Sequence, residues 1–393
     1  MDYPYFYTSS NIKEIDDLFE EELDFIISNI IPQFQLQLLQ EFDDLENLAN
    51  IIKEKFEELV IIGMGGAVNA YAMIHRLGKN PALKVHVIDT PDSFKNETIR
   101  KSVNLNKTAF LIISKSGNTI ETLFILKYWL AEILKEKLPP SDFFYFILGT
   151  AMSSSLKEIA LAYNCKILPH IDFSGRFSVF SNITIFPALV CDINIKNFFY
   201  GAQDALDDLK NNKDKSLITH SAKDILSLYF QNIRNHVLLS YTSKLIGFLN
   251  WQCQIIAESL GKRNHGITPI LNLGPQSQHS MFQIYLDGPK DKFFTFFIEK
   301  NHSNDQLSKL LNIQSQESYE IFKKQKIPVR KIEIGNLNEY SLGFLAMHMI
   351  LEIAIIGAKM KINIFDQPQI EAMKAQISSV ISDTFKNSFG HKI

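Results

Sequence analysis

The feature that most limits how this chain can fold is a rhythm. Short apolar runs of strand length, ending in or beside Gly, Ser or Pro, alternate with longer stretches whose apolar residues recur at helical spacing. A first block holds ELVIIG (58–63), KVHVIDT (84–90), TAFLIIS (108–114), FFYFILG (143–149) and CKILPH (165–170), with helical patterns at 66–78, 93–104, 118–136 and SSLKEIALAY. A second block holds HVLLS (236–240), ITPILNL (267–273), KFFTFFI (292–298) and VRKIEIG (329–335), with helices near 245–260, 304–324 and 339–358. Strands this apolar are buried on both faces, and helices between them supply the cover, so the rhythm predicts parallel sheets. The expected class is α/β: two doubly wound, flavodoxin-like parallel-sheet domains with helical N-terminal and C-terminal segments. Such sheets bind ligands at the carboxyl ends of their strands.

The domains are expected as an N-terminal helical segment (1–56), a first sheet domain (57–192), a helical connection (193–231), a second sheet domain (232–362) and a C-terminal helix (363–393). The charged stretch DLKNNKDKS (208–216) reads as an exposed turn or a solvated helix end. The chain has 393 residues, enough for two sizeable cores. Its formal net charge of -3 gives no basic excess for nucleic acid. Its three cysteines, Cys165, Cys191 and Cys253, are odd in number and widely spaced, which suits free thiols in a reducing compartment. The N-terminus lacks the pattern of a signal peptide, and the apolar runs are broken by charges short of a membrane span. A soluble, cytoplasmic protein with no membrane partner is expected.

Two strand-to-helix junctions carry chemistry. Gly63-Met64-Gly65-Gly66-Ala67 lets backbone approach a ligand and aims amides at an anion. It does not complete a dinucleotide fingerprint, because Val68 stands where the third glycine belongs. Ser114-Lys115-Ser116-Gly117-Asn118-Thr119-Ile120-Glu121-Thr122 gathers three hydroxyls, an ammonium and helix N-terminal amides within six residues. That composition suits a phosphate monoester. Helix capping by Ser116 or Thr119 explains one hydroxyl but not several with a lysine.

The loop SKSGNTIET resembles the sugar-phosphate loop of the sugar isomerase (SIS) fold. Further segments narrow the resemblance to the phosphoglucose isomerase family. Ser174-Gly175-Arg176-Phe177-Ser178 resembles its GGRFS segment. Ala257 to Lys262 (AESLGK) resembles its ESxGK segment. Gln278-His279-Ser280, followed by Asp287-Gly288-Pro289, resembles its GQH segment, and Asn363 to Lys374 resembles its NxFDQxxxExxK tail. The matches run in the family's order from about residue 60 to 374.

The resemblance implies reversible isomerisation of glucose 6-phosphate and fructose 6-phosphate without a cofactor or metal. Glu258 would be the base that carries a proton between C2 and C1 through a cis-enediol. The residues alone place Glu258 in the last turn of a helix stopped by Gly261, where the dipole disfavours its negative charge and is expected to raise its pKa. His279 would open the sugar ring, supplied by a neighbouring subunit, which implies a homodimer with a shared site. Lys374 would assist ring opening, Gln367 would contact substrate, and Arg176 would stabilise enediolate charge. Ser114, Lys115, Ser116 and Thr119 would hold phosphate beside the Gly65–Gly66 turn. The family's GGSxLG loop is altered here: Ala67 lacks the serine hydroxyl and Ala70 replaces the last glycine. Alternatives are an isomerase that also accepts mannose 6-phosphate, a non-catalytic sugar-phosphate sensor and an amidotransferase-type synthase. Glu258, His279 and Lys374 together argue against the sensor, and Met1-Asp2 opens no nucleophilic cysteine domain for the synthase.

Overall fold

The computed structural model describes residues 3–15, 19–77, 83–150, 153–170, 175–300 and 305–385. Its strands are β1 (Tyr5–Ser10), β2 (Glu58–Ile62), β3 (Lys84–Ile88), β4 (Thr108–Ser114), β5 (Phe144–Leu148), β6 (Lys166–Pro169), β7 (Asn235–Ser240), β8 (Thr268–Leu273), β9 (Lys292–Glu299) and β10 (Val329–Ile334). The chain forms two compact units that are not consecutive in sequence. The first comprises Asp43–Tyr71, Asn80–Cys191 and Phe365–Ile393, and the second Met1–Phe42, Ala72–Lys79 and Asp192–Ile364.

In the first unit the sheet order is β3-β2-β4-β5-β6, all parallel. This is the doubly wound order read from the rhythm, with the switch point between β2 and β4. β4 is buried along its whole length, as expected of a strand covered on both faces. The helix Ile120–Lys135 returns the chain, burying Ile125, Leu126, Trp129 and Ile133. Phe110 on β4 stacks on Phe144 of β5 with centroids 4.9 Å apart.

In the second unit β8-β7-β9-β10 repeat the parallel order, but a fifth strand is added that the rhythm did not announce. β1 pairs antiparallel with β10, Tyr5 opposite Ile334 and Tyr7 opposite Ile332. The second sheet is therefore mixed rather than purely parallel. On one of its faces Val237, Leu239, Phe294 and Phe296 pack with Tyr319 and Phe322 of the helix Gln306–Lys324 in an aromatic-rich core. In the layer of helices, Ile195–Asn212 and Glu339–Lys359 approach backbone to backbone. A Cβ on Gly201 would stand 1.9 Å from the Tyr340 carbonyl oxygen, and one on Gly343 1.9 Å from that of Phe198. Only glycine permits that crossing.

Glu339–Lys359 is long and apolar enough to cross a membrane by length and composition, but 94% of its apolar window is buried inside the protein, so it is a core helix. One expectation is corrected here. The 208–216 stretch is not simply solvated. Asp208 is buried and accepts hydrogen bonds from Ser216 (2.5 Å), Tyr3 (2.8 Å) and Asn212 (2.7 Å), tying the end of one helix to the start of the next.

A buried polar network threads the second unit. Arg330 and Glu352, both essentially inaccessible to solvent, pair at 2.8 Å. The Arg330 Nε donates to Thr295 Oγ1 at 3.0 Å, and Thr295 also bonds His236 at 2.7 Å. His348 meets the Tyr5 hydroxyl through Nδ1 and the Ser221 hydroxyl through Nε2 at 2.8 Å, while Tyr7 donates to Asp224 at 2.5 Å. Burial raises the phenol pKa of Tyr5 and Tyr7, so both remain donors or acceptors rather than charges. Through these two tyrosines the network anchors β1.

Candidate active site

Four segments of the first unit converge at the carboxyl ends of its strands. β2 runs into the glycine turn. Gly65 takes φ of +54°, and Gly66 lies so close to Gly175 and Arg176 that a Cβ would meet their backbone at 2.5–2.9 Å. Gly63 packs on the Ile113 carbonyl at the end of β4, bringing this turn beside the hydroxyl loop. Ala67 and Ala70 stand where the family pattern has serine and glycine; Ala70 is buried and fits without a hydroxyl or a tight turn.

β4 ends in the hydroxyl loop. Ser114 Oγ lies 3.0 Å from Thr119 Oγ1 and accepts from the Gly117 amide at 3.1 Å. Ser116 Oγ accepts from the Asn118 amide at 3.2 Å. Gly117 takes φ of +66°, and its missing side chain admits Ser154, whose Oγ would otherwise be 2.1 Å from a Cβ. Thr119 occupies the N-cap position of Ile120–Lys135 yet makes no side-chain cap bond. Thr119 therefore does not cap this helix, while Ser114 and Ser116 each accept a loop amide and Ser114 and Thr119 bond each other, at a helix start where backbone donors and the dipole favour an anion. Lys115 and Ser116 are exposed at the rim.

Arg176 is buried, 2% exposed, and held by the returning C-terminal segment. It donates to the Asp366 carbonyl at 2.9 Å and to Gln367 Oε1 at 3.2 Å, with its guanidinium 5.4 Å from the Phe177 ring centroid. The structure therefore brings Gly66, Arg176 and Gln367 together. Lys374 follows on the helix Pro368–Phe385, where it is exposed.

The second unit carries Glu258 and His279. The helix Ile246–Leu260 ends at Gly261, whose amide bonds the Ala257 carbonyl at 3.0 Å, so Glu258 lies in the last turn as read from the sequence. Gln254, one turn earlier, donates to Glu258 Oε1 at 2.9 Å. This residue was missed; its i,i+4 spacing from Glu258 is the signal that points to it. Lys262 donates to the Asn363 carbonyl, securing the segment that precedes Gln367.

His279 ends the short turn Gln276–His279 and is exposed. Within this unit it does not meet Glu258. The helix Ile246–Leu260 leaves the carboxyl end of β7 and delivers Glu258 to the amino ends of the strands, where Thr268 opens β8. His279 follows the opposite, carboxyl end of β8. Six-residue strands separate those two edges by about 20 Å at ~3.3 Å per residue.

Comparison with known proteins follows this geometry. The family profile for phosphoglucose isomerase matches residues 40–298, about two thirds of the chain. The chain belongs to the phosphoglucose isomerase family. It is accordingly an enzyme, an aldose–ketose isomerase of sugar phosphates. A glucose-6-phosphate isomerase of Methanocaldococcus jannaschii is 31% identical over 339 residues, which span 81% of this chain and 83% of that protein. One from Campylobacter jejuni is 28% identical over 84% of this chain and 86% of its own. Among solved structures, a glucose-6-phosphate isomerase from Chlamydia trachomatis superposes with a TM-score of 0.79 at 17% identity, covering 98% of this chain and 89% of that one. At that identity the likeness speaks for the fold, which it shares along nearly the whole chain.

Proposed function

We propose that this chain reversibly interconverts glucose 6-phosphate and fructose 6-phosphate through an opened sugar and a cis-enediolate. The phosphate is anchored by Ser114, Ser116, Thr119 and the helix amides behind them, with Lys115 at the rim and the Gly65–Gly66 turn alongside. His279 exchanges a proton with the ring oxygen as the ring opens, assisted by Lys374, and Gln367 contacts the substrate. From the aldose side, the Glu258 carboxylate takes the proton from C2, the freed electron pair forms the C1–C2 double bond, and negative charge collects on O1. Glu258 then returns the proton to C1 while the O2 proton passes to O1, so that O2 becomes the ketose carbonyl and O1 a neutral hydroxyl. The charge of Arg176, held in place by Asp366 and Gln367, stabilises the enediolate.

The observation that carries this reading is the hydroxyl loop. Three hydroxyls stand at an uncapped helix start, beside a glycine turn and a fixed arginine. What supports a site shared between two copies is the separation of Glu258 from His279 by the length of the second sheet: one sugar does not reach both within a chain. The three free cysteines agree with a reducing, cytoplasmic setting.

The test is a coupled assay of glucose 6-phosphate formation from fructose 6-phosphate. Glu258→Gln is expected to lose several orders of magnitude in kcat; an unchanged rate removes Glu258 as the base. Glu258→Gln and His279→Ala proteins, mixed under subunit exchange, are expected to regain partial activity. No recovery after exchange has been verified by mass spectrometry counts against the shared site.

A further inference from the structure

His279 is exposed, yet the residue before it is tied into the protein interior. Gln278 Nε2 donates to the Tyr241 hydroxyl oxygen at 2.9 Å and to Ser318 Oγ at 2.8 Å, and the Tyr241 hydroxyl donates to Ser318 Oγ at 2.6 Å. Tyr241 and Ser318 are 6% and 3% exposed. Three polar groups from three elements thus close a triangle: Tyr241 just past β7, Gln278 in the turn after β8, and Ser318 on the helix Gln306–Lys324. The Tyr241 ring lies flat against Gly274, where a Cβ would meet three ring atoms at 2.4–2.7 Å. On the other side of the turn, Ser277 donates to Asn272 Oδ1 and to the Leu273 carbonyl, both at 2.9 Å. The turn is therefore pinned on both flanks, and the imidazole stands on a rigid, hydrogen-bonded base.

An aromatic core explains the Tyr241 ring but not its hydroxyl, since phenylalanine would fill the same space without a buried polar atom to satisfy. Burial raises the Tyr241 pKa, so the phenol keeps its proton and its donor role. Precise placement of a proton-exchanging group is what such a mount provides, because catalysis is sensitive to shifts of an ångström.

We infer that Tyr241, acting through Gln278 and braced by Ser318, is a positioning residue for His279. The inference rests on the assignment of His279 to ring opening made above. Tyr241→Phe is expected to lower kcat on fructose 6-phosphate by on the order of tenfold, with KM changed less than about twofold. In a His279→Ala background the same substitution is expected to change kcat little, because the group being positioned is gone. Gln278→Ala is expected to match Tyr241→Phe or exceed it, and the pair to be no worse than Gln278→Ala alone.

Three results overturn the inference: unchanged kcat in Tyr241→Phe, an equal loss in both backgrounds, or losses at Tyr241 and Gln278 that multiply. Melting temperatures of all variants separate a fall in folded protein from a fall in turnover. If His279→Ala itself keeps the wild-type kcat, the assignment of His279 fails, and the positioning role fails with it.

Discussion

The two sheets share the order of four parallel strands but dispose of their polar groups in different ways. At the carboxyl end of β4, Ser114, Ser116 and Thr119 sit in a turn at a helix start without a side-chain cap, with Ser116 exposed and Thr119 half-buried. In the second unit, Arg330, Glu352, His348, His236, Thr295 and Ser221 are enclosed and bond largely to one another, leaving His236 Nδ1 and one terminal nitrogen of Arg330 without a hydrogen bond among the described residues. At the rim of the first arrangement solvent completes the bonds of Ser116 and Thr119, whereas Ser114 is buried and satisfied within the loop. The second gains nothing from solvent, so each member depends on the rest.

That difference predicts where substitutions hurt stability and where they hurt binding. The largest effect is expected at the enclosed pair. Arg330→Met leaves Glu352 charged and buried, and is expected to cost about 3–5 kcal/mol in urea unfolding; a loss under ~1 kcal/mol would place this network with ordinary surface ion pairs.

Next is its acid sensitivity. Burial pushes the Glu352 carboxyl up, but Arg330 and His348 outweigh it and hold the group well below the usual carboxylate range. A depressed folded-state pKa contributes stability above the unfolded value of about 4.3 that is lost as pH falls below it. Wild type is therefore expected to lose stability between about pH 5 and 3 more steeply than Glu352→Gln, and parallel curves break the argument.

At the open loop the expected effects move to KM. If Ser114 binds phosphate as proposed, Ser114→Ala is expected to raise KM for fructose 6-phosphate roughly tenfold, given about 1.5–3 kcal/mol for a hydrogen bond to a charged group. Its melting temperature is expected to stay within ~2 °C of wild type. The smallest effect is a gain: Ala67→Ser restores a hydroxyl in the glycine turn and is expected to lower KM about threefold, roughly a quarter to a half of the free energy of a charged hydrogen bond. If Ala67→Ser raises KM instead, the turn has adapted to the methyl group.

Much of this was readable from the chain, and the exceptions share a cause. The nine strands of the rhythm and Glu258 in its last helical turn follow from local pattern, because burial on both faces and a glycine stop are written in neighbouring residues. β1 was not readable: YFYTSS mixes apolar and polar positions, and its place is decided by tyrosine hydroxyls that find His348 and Asp224 more than 200 residues away. The Asp208 hub failed for the same reason, its charge being visible and its partners not. The Arg176 hold on Gln367 joins positions 191 apart, so the sequence showed both residues but not that one fixes the other. Gln254 was legible in principle, one helical turn from Glu258, and was overlooked.

The interleaving of the two units bears on biosynthesis. All five strands of the first sheet leave the ribosome by residue 169, whereas Asp366 and Gln367, which clasp Arg176 in that same unit, emerge almost two hundred codons later. Four of the five strands of the second sheet, β7 to β10, are translated in between, while Arg176 still lacks these two partners. Messages cut short before codon 366 encode polypeptides without the two groups that hold the Arg176 guanidinium.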